Sequence, residues 1–108
     1  MYLKIYAMML RQLVITIFFL FSVFSYSQDK FTLSGVISDE KSNETLIGVS
    51  IIIEELKTGT ATNEYGFYSI TLPEGIYTVR VSYLGYKEII TTIDLSQNIK
   101  TNFSILES

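Results

Sequence analysis

Residues 58–87, TGTATNEYGFYSITLPEGIYTVRVSYLGYK, constrain the fold of this chain more than any other stretch. Tyr68, Ile70 and Leu72 alternate with Phe67, Ser69 and Thr71, and Tyr77, Val79, Val81 and Tyr83 alternate with Thr78, Arg80 and Ser82. A period of two sends successive side chains to opposite faces, so each run is a strand with one buried face. Between the runs, Leu72-Pro73-Glu74-Gly75 offers Pro at the second and Gly at the fourth position of a type I turn. The pattern predicts a β-hairpin, with a second reversal at Leu84-Gly85 where Gly85 takes a positive φ.

The same period appears elsewhere. Residues 31–39 place Leu33, Gly35 and Ile37 on one face, and a glycine in mid-strand marks a bulge or a close approach by another backbone. Residues 39–45 are a polar loop. Residues 46–56 carry a β-branched strand with Val49, Ile51 and Ile53 opposite Ser50, Ile52 and Glu54. A short helix is conceivable around residues 53–57, followed by a turn and a brief strand at 60–62. Asn63-Glu64-Tyr65-Gly66 is a type I turn signature. Residues 86–95 and 99–106 give the last two strands. Six or seven short strands without a helix among them predict an all-β fold, a small antiparallel β-sandwich.

The N-terminus is different in kind. Lys4 and Arg11 are the only charges before Asp29, and residues 13–24 are apolar except for Thr16 and Ser22. A basic start, a run of about a dozen apolar residues and Ser25-Tyr26-Ser27 describe a secretory signal peptide over residues 1–27, with Gln28 the first mature residue. The run is short against the roughly 20 apolar residues of a membrane span. A retained anchor is the alternative, and Met8 or Met9 offers another start. Cleavage leaves 81 residues with six basic and eleven acidic side chains, net charge −5. An acidic surface argues against nucleic acid or anionic lipid as partner. At this size a domain buries only roughly 60–65% of its unfolded surface, and with no Cys it has no disulfide to brace it.

The absence of His and Cys excludes a thiol nucleophile, a Ser-His-Asp triad and a His- or Cys-based zinc site within this chain. Asp39/Glu40 and Glu54/Glu55 are adjacent pairs, and neighbours on a strand point to opposite faces, so neither pair converges. Thr62-Asn63-Glu64 lacks the run of acidic ligands a Ca²⁺ loop uses and reads as a turn. No phosphate-binding glycine loop leads from a strand into a helix. Asn43-Glu44-Thr45 and Asn102-Phe103-Ser104 fit the glycosylation sequon. Arg80 reads as a solvated cation on an outer face. Tyr65, Tyr68, Tyr77, Tyr83 and Tyr86 read mainly as core with hydroxyls at the rim rather than as a stacking surface. Catalytic, metal and cofactor-binding residues are accordingly expected to be none.

Taken together, residues 33–39 (LSGVISD), 46–51 (LIGVSI), 59–70 (GTATNEYGFYSI), 72–77 (LPEGIY) and 81–87 (VSYLGYK) resemble, in order, the motifs of carboxypeptidase-regulatory-like domains. The resemblance covers about residues 31–106. Its departure is Asn63, where the family more often has Asp; both suit that turn position. It implies a transthyretin-like sandwich over residues 28–108. Such domains stand beside the catalytic domain of secreted zinc carboxypeptidases. They also stand directly after the signal peptide of TonB-dependent, SusC-like outer-membrane receptors of Bacteroidota, which the present order and the Tyr26-Ser27-Gln28 junction resemble. In those receptors a TonB box, plug and barrel follow, whereas this sequence stops at Ser108 and reads as an N-terminal piece. The resemblance thus implies a non-enzymatic periplasmic domain with a protein partner, the receptor or its energising machinery. It implies no cofactor and no small-molecule substrate. A free-standing exported binding or adhesion module is the alternative, and an accessory domain of a zinc carboxypeptidase a more distant one. Transport by these residues alone is excluded, because a barrel needs at least eight spanning strands. Strand addition at an exposed sheet edge is a mode of contact open to such a domain.

Overall fold

The computed structural model describes residues 2–23 and 29–108. One helix, α1 (Tyr2–Val23), precedes eight strands: β1 (Lys30–Asp39), β2 (Ser50–Ile53), β3 (Thr58–Ala61), β4 (Phe67–Pro73), β5 (Gly75–Ser82), β6 (Ile89–Leu95), β7 (Ile99–Lys100) and β8 (Phe103–Ile105). The strands form two four-stranded sheets. One has the order β4-β1-β7 with β8 also on β1, and the other has the order β3-β2-β5-β6.

The inward faces are those the alternation predicts. Leu33 and Ile37 of β1, Ile51 and Ile53 of β2, Tyr68 and Leu72 of β4, and Tyr77, Val79 and Val81 of β5 are buried, with Val49, Leu95, Phe103 and Ile105 completing the core. Each such side chain stabilises the fold by about 1.5–3 kcal/mol through removal of apolar area from water. The Tyr68 and Phe103 rings pack tilted, 6.2 Å between centroids.

The two alternating runs do not form a hairpin. β4 pairs antiparallel with β1, from Lys30 opposite Pro73 to Val36 opposite Phe67, whereas β5 pairs with β2 and β6 in the other sheet. Pro73-Glu74-Gly75 is therefore a corner between layers, its Glu74 amide donating to the Asp29 carbonyl at 2.9 Å. Period two fixes which face of a strand is buried but not which strand lies beside it. The predicted reversal at Leu84-Gly85 is present. Tyr86 N–H donates to the Tyr83 carbonyl and Gly85 has φ 87°, which a type II turn requires at that position.

Other boundaries also shift. Of residues 46–56 only Ser50–Ile53 is strand, because Gly48 turns the chain at φ 80° on one side and residues 54–57 form a turn, not a helix, on the other. The brief strand expected at 60–62 is β3, Thr58–Ala61. The last expected strand is split into β7 and β8, and both run parallel to β1. The two-layer sandwich stands; its first sheet is mixed rather than antiparallel throughout.

Gly35 explains the split. A Cβ there would collide with the Thr101 carbonyl, so the glycine is the close backbone approach its mid-strand position predicts. The chain swings against β1 at Thr101, interrupting the ladder between Lys100 and Phe103. Two side-chain bonds close the gap and a third extends the ladder ahead of Ile99. Asn98 Oδ1 accepts from Thr32 N–H at 2.9 Å and Asn102 Oδ1 from Val36 N–H at 2.9 Å, while Tyr68 OH donates to the Thr101 carbonyl at 2.6 Å. The spacing of four from Asn98 to Asn102 matches that from Thr32 to Val36, as a parallel neighbour requires.

In α1 the stretch Tyr2–Leu20 is long and apolar enough to cross a membrane, and its side chains are exposed throughout. Helix length therefore does not separate a cleavable signal from an anchor, contrary to the expectation from the apolar run alone. The expected processing site at Ser27-Gln28 lies outside the described residues.

Candidate functional site

Period two carries the inward face of β1 from Leu33 through Gly35 and Ile37 to Asp39, so a carboxylate ends up facing inward at one end of the sandwich. Asp39 Oδ1 accepts from the Lys41 and Ser42 amides at 2.8 and 2.9 Å, and Oδ2 accepts from the Tyr86 hydroxyl at 2.7 Å. The Ser42 amide above all, then the Tyr86 hydroxyl and the Lys41 amide, hold the Asp39 carboxyl at about 2. The same bond pushes the Tyr86 hydroxyl up to about 12, since losing its proton would face it with a second anion. A carboxylate saturated by three donors is a brace, not a base. It pins the end of β1 to the turn after β5. Glu40 beside it is exposed, so this pair diverges as expected.

The neighbouring loop is equally occupied. Thr62, buried, donates its hydroxyl to the Leu46 carbonyl and accepts from the Val49 amide. Asn63 Oδ1 accepts from the Tyr65 and Phe67 amides, and the Gly66 amide closes the turn onto the Asn63 carbonyl at 2.9 Å. Residues 62–64 thus form the turn expected of them. An Asp at 63 would accept the same two bonds, so Asn is a neutral equivalent here. Gly66 has φ 75° and lies against Thr45 and the Ile37 carbonyl.

Glu54 and Glu55 also diverge. Glu55 accepts the Thr78 amide and hydroxyl at 2.7 and 2.8 Å; the amide chiefly, then the hydroxyl, lowers its pKa. Glu54 lies 2.7 Å from Arg80 Nε, off the N–H axis, so the contact is one of charge rather than an aligned hydrogen bond. With Glu88 at 3.5 Å from Nη1, Arg80 sits between two carboxylates and is not the free cation its outward position suggested.

Of the five tyrosines, Tyr68 and Tyr77 are buried, Tyr83 and Tyr86 are half-buried and pack on each other at 5.4 Å, and Tyr65 is exposed. Burial pushes the Tyr68 hydroxyl up to about 12. Tyr77 OH donates to the Pro73 carbonyl at 2.6 Å. Rings in the core with hydroxyls on rim carbonyls is the arrangement the sequence predicts. Among the sequon asparagines, Asn43 has φ 60° in an exposed turn, and Asn102 is occupied by Val36.

Among the described residues, no three His, Cys, Asp or Glu side chains come close enough to hold a metal ion. Asp39, Glu55, Thr62 and Asn63 each hold a loop or strand through backbone amides. Sequence reasoning missed the inward aim of Asp39, which the period of β1 implied, and the bridging role of Asn98 and Asn102. What stays unengaged is surface: the outer edge of β6, and Ile47, Tyr65 and Leu84 on the loops at the Asp39 end.

Residues 33–108 match the family model of the CarboxypepD_reg-like domain. The chain belongs to the CarboxypepD_reg-like domain family. A search of curated proteins finds no match. Among solved structures, this CarboxypepD_reg-like domain is similar to the C-terminal domain of shaft pilin SpaA from Lactobacillus rhamnosus, at 12% identity and TM-score 0.57, covering 75% of this chain and 100% of that one. It is similar to the Bacillus anthracis TIE protein at 22% identity and TM-score 0.56, covering 72% of this chain and 17% of that one. A DUF3823 family protein from Bacteroides ovatus matches at 17% identity and TM-score 0.52, covering 71% of this chain and 44% of that one. Likeness at these identities concerns the fold: a two-sheet sandwich that recurs as one part of longer chains. The chain spans well under two thirds of the TIE protein and of the Bacteroides ovatus protein.

Proposed function

We propose that this chain is a non-enzymatic, exported interaction module, the N-terminal domain of a TonB-dependent outer-membrane receptor. The observation that carries this reading is order: an apolar, signal-like helix followed directly by a CarboxypepD_reg-like domain. In this reading residues 1–27 direct export and are removed, and residues 28–108 stand in the periplasm ahead of plug and barrel. The domain contributes support, signalling or contact with the energising machinery, and its partner is protein. The occupied state of Asp39 and Glu55 supports a role without catalysis, since each accepts backbone amides that hold the fold.

A second reading, a free-standing exported binding or adhesion module, draws on the likeness to pilin domains, the C-terminal domain of shaft pilin SpaA among them. An antibody against residues 31–106, applied to fractionated cells, separates the two. A large outer-membrane band supports the receptor reading. A small periplasmic band of the 81-residue product contradicts it and leaves the second.

A further inference from the structure

The two sheets end in four edges: β4 and the β7–β8 pair in one, β3 and β6 in the other. Sheets protect their edges with short strands, prolines, lysines and interrupted ladders. β7 and β8 are two and three residues long with a break between them. β3 has four residues and includes Gly59. β4 ends in Pro73, which has no N–H to offer. β6, IITTIDL, has seven residues without Pro, Gly, Lys or Arg, five of them β-branched, and Asp94 is its one charge.

A second observation falls on the same strand. The inward side chains Ile89, Thr91 and Ile93 remain half-buried, whereas Tyr77, Val79 and Val81 of the adjoining β5 are at most 7% exposed. The core is uncovered along this flank. Residues 106–108 do not cover it, because they run antiparallel along residues 85–87 and so lead away from β6.

We propose that β6 pairs antiparallel with β6 of a second copy about a twofold axis at Thr92, joining two four-stranded sheets into one of eight strands. A twofold interface must be self-complementary, each residue facing a partner that faces it in return. In this register Ile89 lies opposite Leu95 and Thr91 opposite Ile93, covering the half-buried inner row. Ile90 lies opposite Asp94 and Thr92 opposite Thr92 on the outer face. No like charges meet. The two Asp94 residues are offset by four residues, about 13 Å along the strand, beyond the Debye length of about 8–10 Å. The acidity of the domain is therefore not concentrated at the seam. The inference is independent of the receptor reading.

Sedimentation velocity on residues 29–108 tests it, since among the described residues no α1 side chain enters the core. Over about 1 μM to 1 mM, the range of weak to moderate affinities, the expected result is a concentration-dependent dimer. Thr92→Lys sets two ammonium groups opposite each other across the axis and raises Kd by up to about fivefold. Ser69→Lys, on the exposed face of β4, leaves Kd unchanged. A monomer at every concentration overturns the proposal, as does a dimer weakened by Ser69→Lys but not by Thr92→Lys. Should Thr92→Lys fail to fold, amide exchange on the unaltered domain decides. Outward β6 amides that gain protection with concentration support the pairing, and amides that exchange equally fast throughout overturn it.

Discussion

In the first sheet β1 is enclosed: β4 runs along one side, β7 and β8 along the other, and asparagine carbonyls take the Thr32 amide ahead of the ladder and the Val36 amide at its break. In the second sheet β6 pairs only with β5, and its other edge faces outward. One long strand is finished with side chains and the other is left open. The contrast teaches that side chains close the side of β1 that faces β7 and β8, whereas β6, like β4, keeps an outer edge.

The strongest way to break the contrast is at Gly35. Gly35→Ala drives a methyl group into the Thr101 backbone, which has no flexible end to yield. The expected loss of several kcal/mol approaches the whole stability of a domain this size, so chemical denaturation should find it unfolded or nearly so. Gly85→Ala is the contrasting change. It meets open space and only the left-handed backbone penalty, about 1–2 kcal/mol. Next in size, Asn102→Ala removes the acceptor of the Val36 amide at an exposed position, an expected cost of about 0.5–1.5 kcal/mol in the same assay.

A smaller effect is expected from pH. Asp39 binds a proton less readily folded, at about 2, than at its ordinary 3.8. The stability this contributes is complete above 3.8 and lost as pH falls toward 2. Tyr86 is displaced the other way, from 10.0 to about 12, so its contribution is complete below 10 and lost as pH rises toward 12. Asp39→Asn should therefore lower Tm at neutral pH while flattening its fall between pH 4 and about 2. The smallest effect belongs to the open sheet. Ile90→Thr, on an exposed outer position of β6, should change monomer stability by no more than about 0.5 kcal/mol.

Much of this was legible in the sequence because it is local. The alternation gave the inward faces of β1, β2, β4 and β5. Gly35 marked the close approach, and Asn63 with Gly66 marked their turn. Pairing was not legible. Residues 67–72 and 77–83 look like a hairpin because both runs alternate around a Pro-Gly corner, yet corner and hairpin share that local pattern. Asn98 and Asn102 act on amides 66 residues away, so no local spacing reveals them. Asp39 was legible and missed: the period that puts Ile37 inside puts Asp39 inside too.

Residue-resolved amide exchange on residues 29–108, at a concentration low enough to hold the monomer, tests the closed-and-open account most directly. The Thr32 and Val36 amides, capped by asparagine, should exchange well below the rate of an unstructured chain. Alternate amides of β6, facing outward from an edge strand, should exchange near the rate of an unstructured chain. Thr32 and Val36 exchanging as fast as the outward amides of β6 would contradict it.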